Sequence, residues 1–445
     1  MDDVELKYAI TLFERLRETG RDPDGAPGVT RQTYGLGENL AHGLIFLDAR
    51  EFGIDGYVDD ARNLWLGSPT NRSIVIGSHL DSVPCGGNFD GAAGVVAGLL
   101  VMRRLQMAGM KLPLQVVALR GEESAWFGEC YLGSKALLEG WTDDTFSRVS
   151  RATGMTLREI FGADTAPGPD GARLGRDILS SNGTPYSDAA LARRASCRKA
   201  LSKPLRSPDS IRAYLELHIE QGPVLVDADI PLGVVTGIRG NVRHTITCHG
   251  EAGHSGTTPM HARHDAVEAT VQLLYRWRDW SMNGTLLGYD DLVTTTGILH
   301  TDQATESVSA IAAKTMFSLE WRSLNKGTLT AMGRDLRRMT DEVTSCLGCT
   351  FEISAPIRSE PANMDKSIQR FLHEACEHVD VPRMAMPSGA GHDAAMFAMA
   401  GIPTGMLFIR NQNGSHNPNE AMDMTDFMKG VDVLHRTVCQ IAKSR

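Results

Sequence analysis

Apolar residues fall along the chain in two rhythms. Ile74, Val75 and Ile76 form a short β-branched run, which predicts a buried strand. It stops at Gly77-Ser78, and His79-Leu80-Asp81 follows at its end. A loop with Pro84, Gly86 and Gly87 then delivers Asp90, and Ala92, Val95, Val96, Leu99 and Leu100 predict a helix beyond it. Pro113 to Leu119 predicts a second buried strand, and it too ends in charge, at Arg120-Gly121-Glu122-Glu123. A strand, a helix and a strand with charged groups at both strand ends predict a βαβ unit with chemistry on its rim.

The same reading extends in both directions. Val4 to Arg17 predicts a helix with Leu6, Ile10, Leu12, Phe13 and Leu16 on its apolar face. Thr33 to Glu51 predicts another, with Leu40, Leu44, Ile45 and Leu47 turned inward, and Asp59 to Gly67 predicts a strand. Residues 139–210 are polar and carry a basic cluster of Arg193, Arg194, Arg198 and Lys199, so they predict a solvated helical excursion. Arg212 to Leu217 leads into His218-Ile219-Glu220-Gln221-Gly222-Pro223.

From about Ile230 to Ile357 several strands accompany two helices, Ala266 to Trp280 and Thr328 to Leu347. That order predicts an antiparallel sheet with two helices on one face, inserted into the first domain as a second one. Helix and strand then alternate again: a helix over Asp365 to Val379, the Gly-rich SGAGHDAAMFA, the strand PTGMLFI, and Gly414-Ser415-His416-Asn417-Pro418-Asn419-Glu420 after it.

Composition narrows the class. At 445 residues the chain is too long for one small core. A net charge of -9 and no basic run argue against nucleic-acid binding. No apolar run reaches membrane-spanning length, and the acidic, amphipathic start is unlike a signal peptide, so a cytoplasmic location is expected. The eight cysteines include one lone pair, Cys346-Leu-Gly-Cys349, without a second pair at zinc-site spacing, which predicts a structural role.

His79, Asp90, Glu123, His218 and His416 all follow predicted strands or open Gly-rich loops outside the inserted domain. Charged groups beside apolar strands need a partner. Three imidazoles and two carboxylates suit a pair of zinc-like ions with one carboxylate bridging, which leaves Glu122 free to act as a base.

The segments GVTR (28–31), GSHLDSVPCGGNFDG (77–91), GEE (121–123), GSKAL (133–137), HIEQGPVL (218–225), GHSGTTPM (253–260), SGAGHDA (388–394) and GSHNPNE (414–420) span most of the chain. In them the chain resembles the M20-type metallopeptidase superfamily. Within it, the resemblance is to the hydantoinase/carbamoylase amidases: N-carbamoyl-L-amino-acid hydrolases, β-ureidopropionases and allantoate amidohydrolases.

The resemblance implies an α/β fold: a mixed-sheet di-metal catalytic domain with helices on both faces, over 1–227 and 358–445, and an inserted α+β lid or dimerisation domain over 228–357. It implies two divalent ions, zinc first, with manganese, cobalt or nickel as substitutes. Asp90 would bridge them, His79 and His218 would hold one, and Glu123 and His416 the other. Glu122 would be the general base toward a metal-bound water, and Asp81 would orient His79. Gln221, Arg322 and Gly391 would contact substrate, and His254 would polarise the scissile carbonyl, in a homodimer joined through the lid. The substrate would be a small N-carbamoyl or N-acyl amino acid; alternatives are allantoate, a dipeptide, or a non-catalytic metal-binding role.

The chain departs from the family pattern in three places, one of them Glu320-Trp321-Arg322, where Asp-x-Arg is familiar. Ser309-Ala-Ile-Ala-Ala313 stands where the family has an NVIPG-like run whose Asn helps bind the substrate carboxylate, so Ser309 takes that position. Ser124-Ala125-Trp126 stands where Gly-Ser-Arg is common, which implies a less polar or reshaped pocket.

Overall fold

The computed structural model describes residues 3–22, 24–162, 200–283 and 291–444. The chain divides into two compact units, Met1–Thr236 with Met364–Arg445, and Gly237–Asn363.

The first unit is built on a mixed sheet. Its strands begin with β1 (Gly56–Val58), β2 (Leu64–Leu66), β3 (Ser73–His79), β4 (Leu114–Leu119), β5 (Ile211–Ile219) and β6 (Leu232–Ile238). Across the sheet the order is β1, β2, β4, β3, β5, then Thr404–Ile409, then β6. The four central strands, β4, β3, β5 and Thr404–Ile409, are all parallel, and the flanking β2 and β6 run against them. β3, β4 and Thr404–Ile409 are buried at every position, as strands covered on both faces must be. The chain runs from β3 to β4 on one side, and β5 joins β3 on the other. A crevice opens at such a reversal of strand order, outside the carboxyl ends of the strands.

Helices α1 (Asp3–Thr19), α2 (Leu36–Glu51) and α3 (Ala92–Met107), with Lys366–His378 and Met424–Lys443, contribute to one core with the sheet. Every residue of α3 from Ala92 to Met102 is buried. The face of α2 differs from the expected one. Leu40 and Leu47 are exposed, while Glu38, His42 and Asp48 turn inward. Polar partners account for two of these: Glu38 pairs with Arg120 at 2.7 Å, and Asp48 accepts from Arg15 and Tyr8, while the His42 ring is buried without a hydrogen-bond partner among the described residues.

Residues 141–161 also differ from a solvated excursion. Trp141, Phe146 and Phe161 are buried with Tyr34, Trp126 and Phe127 in a satellite core of edge-to-face rings. The basic cluster Arg193, Arg194, Arg198 and Lys199 lies outside the described residues.

In the second unit Gly240–His249 pairs antiparallel with Lys314–Ser323, Thr350–Ile353 and Ile357–Ser359. Buried and exposed positions alternate along Gly240–His249, so one face is covered. Helices Ala266–Met282 and Lys326–Leu347 share a core with it through Leu273, Trp277, Met332 and Leu336. Asp265 and Asn325 cap their first turns, and Gly348, at φ +69°, ends the second helix. This unit starts at 237, later than the expected 228, because the first residues of β6, Leu232 to Val234, pair with Thr404–Ile409. It ends at 363, beyond the expected 357, because Ala362–Asn363 pairs back onto Ile238 and Gly237. Cys346 is exposed, Cys349 is buried, and both are free thiols.

Candidate metal centre

Each of the four parallel strands delivers one part of a single cluster. His79 ends β3, Glu122 and Glu123 follow β4, His218 lies near the end of β5, and His416 follows Thr404–Ile409. Asp90 sits just before α3.

Asp90 joins the others. Its Oδ1 lies 3.1 Å from His218 Nε2 and 3.5 Å from His79 Nε2. Its Oδ2 lies 3.4 Å from His416 Nε2, which is itself 3.3 Å from Glu123 Oε1. Two groups of three donors therefore share one carboxylate: His79, Asp90 and His218, and Asp90, Glu123 and His416. Within each group the donor atoms lie within 4.8 Å of one another. Imidazole nitrogen with carboxylate oxygen is a donor set for divalent ions of the zinc type.

The electrostatics point the same way. Burial pulls the His79 imidazole down, but hydrogen bonds to Asp81 and Asp90 outweigh it and hold it well above its ordinary range. Asp90 and Glu123 push His416 up to about 10. A cluster that binds protons this tightly favours positive charge at its centre. Gln221 adds to the fit: its Nε2 donates to Asp90 Oδ2 at 2.8 Å, and its Oε1 is buried without a partner among the described residues.

Local backbone sets this geometry. Gly91 has φ +67°, and a Cβ there would stand 2.5 Å from three atoms of the His79 ring. Only glycine serves both demands. Gln221 and His416 also sit at positive φ, +67° and +59°, which is uncommon for residues with side chains.

Asp81 supports the imidazole and both glutamates at once. Its Oδ1 lies 3.3 Å from His79 Nδ1 and accepts the Glu122 N–H at 3.2 Å. Its Oδ2 accepts the Glu123 N–H at 3.2 Å and the Thr33 hydroxyl at 2.6 Å. Glu122 reaches to 3.9 Å from His79 Nε2 and belongs to neither donor group. Burial pushes its carboxyl well above the usual range.

A third group, Glu216, His218 and His392, has its donors engaged elsewhere. Glu216 accepts from Ser78 and the Ala394 N–H, and His392 Nε2 is 2.9 Å from Ser388 Oγ.

Residues 75–440 match the model of peptidase family M20/M25/M40. The chain belongs to this family. Among curated relatives of this M20 member, the N-carbamoyl-L-amino acid amidohydrolase of Geobacillus stearothermophilus is 31% identical, over 97% of this chain and 98% of its own. The allantoate amidohydrolase of Escherichia coli is 32% identical, over 96% of each. A hydantoinase/carbamoylase family amidase from Burkholderia ambifaria has the same fold, with a TM-score of 0.80 and 28% identity over 99% of this chain and 98% of that one.

The remaining expected site residues of this M20 chain fall in both units. In the first, Gly391 is exposed, and a Cβ on it would stand 1.8 Å from the Tyr131 hydroxyl. In the second, His254 Nδ1 accepts the N–H groups of Gly256 and Thr257 at 3.1 and 3.3 Å, which leaves Nε2 to carry the proton of the neutral ring. His254 pairs with Ala310, and the Ser255 N–H donates to the Ser309 carbonyl at 2.9 Å, so His254 and Ser309 are neighbours. Arg322 is half-buried, with Nε 2.6 Å from Glu320 Oε1.

Trp126 is buried. It is 7% exposed, packs in the aromatic satellite core and donates to the Ser82 carbonyl at 2.8 Å. Sequence reasoning also passed over Thr33, Ser415, Glu420 and Tyr131. Ser415 and Glu420 lie inside the GSHNPNE motif, Thr33 lies two residues after GVTR and Tyr131 two residues before GSKAL, but nothing in spacing alone marks them.

Proposed function

We propose that this chain is a dinuclear metal amidohydrolase that removes a carbamoyl or related acyl group from an N-substituted amino acid. One observation carries the reading. The two oxygens of Asp90 divide between an imidazole pair and the Glu123–His416 pair, while Glu122 stays outside both.

His79 and His218 would hold one ion, Glu123 and His416 the other, with Asp90 between them. When bound, the ions would supply Lewis acidity toward the acyl oxygen and make a water acidic enough to attack at neutral pH. Glu122 takes the proton of that water and passes it to the leaving nitrogen. Asp81 keeps Glu122 and His79 in register through the hydrogen bonds described above. The Nε2–H of His254 is a donor suited to a developing oxyanion, and the Arg322 guanidinium to a substrate carboxylate. Gln221, Ser309 and Gly391 complete the proposed substrate contacts.

The reading places the enzyme in the cytoplasm; among the described residues no helix is long and apolar enough to cross a membrane. It also has the enzyme working as a homodimer through the second unit, where Val267, Val271 and Tyr275 form an exposed apolar row on one helix.

A panel of N-carbamoyl, N-formyl and N-acetyl amino acids, presented to metal-loaded protein, tests this. Turnover of the carbamoyl members is expected, and no turnover of any member rejects the proposal. Allantoate belongs on the panel as the second reading, because the allantoate amidohydrolase is as similar as the carbamoyl hydrolase. Ammonia release from allantoate, without release of free amino acid from the others, selects it.

A further inference from the structure

His416 and Asp90 come from loops far apart in sequence, and each must hold still for the second donor group to exist. The His416 loop is braced internally: Asn411 Nδ2 donates to the Gly414 carbonyl at 2.7 Å, and Asn417 Nδ2 to the Asn413 carbonyl at 2.9 Å. What joins this loop to the Asp90 loop is Glu420, which is 6% exposed. Its Oε1 accepts the N–H groups of Phe89 at 2.8 Å and Asp90 at 3.3 Å. Its Oε2 lies 2.6 Å from Ser415 Oγ, which lies 2.6 Å from Asp90 Oδ2.

Gly87 makes room for this contact. A Cβ there would stand 2.0 Å from the Glu420 carboxyl carbon and Oε1. Glu420 thus bridges two loops with one carboxylate, directly next to two metal-ligand positions, and is itself no ligand in either donor group.

We infer that Glu420 is the positioning residue that sets occupancy of the Glu123–His416 metal site, by clamping the Asp90 loop to the His416 loop. The inference rests on the dinuclear reading above. Both His79 and His218 come from strand ends of the sheet, so only the shared Asp90 ties their site to the clamp, whereas in the other site Asp90 and His416 both depend on it. Without Glu420, the Phe89 and Asp90 N–H groups and the Ser415 hydroxyl lose a shared acceptor, and the loop with the positive-φ His416 loses its anchor. Partners of this kind weaken metal binding about 10- to 100-fold when removed.

The test is zinc stoichiometry and stepwise zinc affinity, by elemental analysis and calorimetry, on the full chain. Wild type is expected to bind two ions. Glu420→Ala and Glu420→Asp should retain the tighter ion and bind the weaker one about 10- to 100-fold less well, with apo far-UV circular dichroism unchanged. Glu420→Gln keeps an oxygen for the two N–H groups and an amide for Ser415, so it should bind both ions nearly as wild type does. Gly87→Ala leaves Glu420 in place chemically but displaces its carboxyl, and should reproduce the loss even if Glu420→Ala fails to fold.

Two ions at wild-type affinity in Glu420→Asp and Gly87→Ala overturn the inference and leave the dinuclear reading standing. Loss in Glu420→Gln equal to that in Glu420→Asp overturns the clamp in favour of a pure charge effect. A wild type that binds one ion overturns both.

Discussion

Thr33 donates its hydroxyl to Asp81 at 2.6 Å, and so fixes the carboxylate that receives the N–H groups of both Glu122 and Glu123. Replacing Asp81 by Asn turns one acceptor oxygen into a donor facing a backbone N–H. Asp81→Asn should lower kcat on a carbamoyl substrate about 10- to 100-fold and weaken metal retention. Thr33→Val removes only one donor and should cost about 1–3 kcal/mol of unfolding free energy or less, with a smaller kinetic effect. Steady-state kinetics and denaturant titration measure the two.

Glu122→Gln separates proton transfer from metal binding, since Glu122 lies outside both donor groups. The variant should keep its ions and lose about 10²- to 10⁴-fold in kcat. Metal content equal to wild type with near wild-type kcat would remove Glu122 from the role of base.

Chelation should abolish turnover, and zinc, manganese, cobalt or nickel should restore it to different extents. Activity that survives exhaustive dialysis against a chelator, with no metal left by elemental analysis, would remove the ions from the mechanism.

Gly391 and Tyr131 compete for one space: a Cβ on residue 391 would stand 1.8 Å from the phenolic oxygen but 3.1 Å from the ring carbon that bears it. Gly391→Ala should therefore lower Tm and kcat/KM, and adding Tyr131→Phe should recover part of both. Purely additive effects of the two substitutions, by thermal melts and kinetics, would show that the residues do not meet.

Burial, with Glu216 beside it, pushes Asp393 up to about 8. In the unfolded chain an Asp loses its proton near about 4. Between those values the unfolded state holds fewer protons, so this group's contribution to stability falls as pH rises. It is fully present below about pH 4 and lost by about pH 8. In chelated protein, wild-type Tm minus Asp393→Asn Tm should decline across that window; a constant difference would mean that Asp393 ionises normally.

The sequence made the central strands legible because β-branched runs such as Ile74–Ile76 leave few alternatives to a buried strand. It also marked the five side chains that come together in the two donor groups, because imidazoles and carboxylates recur at the ends of such strands. The α2 face differs from the expected one because Glu38 and Asp48 turn inward, and their burial depends on Arg120, Arg15 and Tyr8 from other elements. The packing of Trp126 was not legible for a related reason: one aromatic residue in a loop gives no sign of the cluster of other rings that it joins. Thr33 and Glu420 act through hydrogen bonds to residues 48 and 331 positions away, a relation that no local pattern encodes.

The second unit opens and closes on partners in one ladder, Gly237 opposite Asn363 and Ile238 opposite Ala362. A segment whose two ends already touch leaves no wide gap when it is excised, and a short turn would reseal the chain. All five proposed ion-holding side chains lie outside it. A shortened protein made this way would keep the two donor groups, with Gln221 and Gly391, while losing His254, Ser309 and Arg322, so part of the proposed substrate contacts could be cut away without touching the proposed ion-holding side chains.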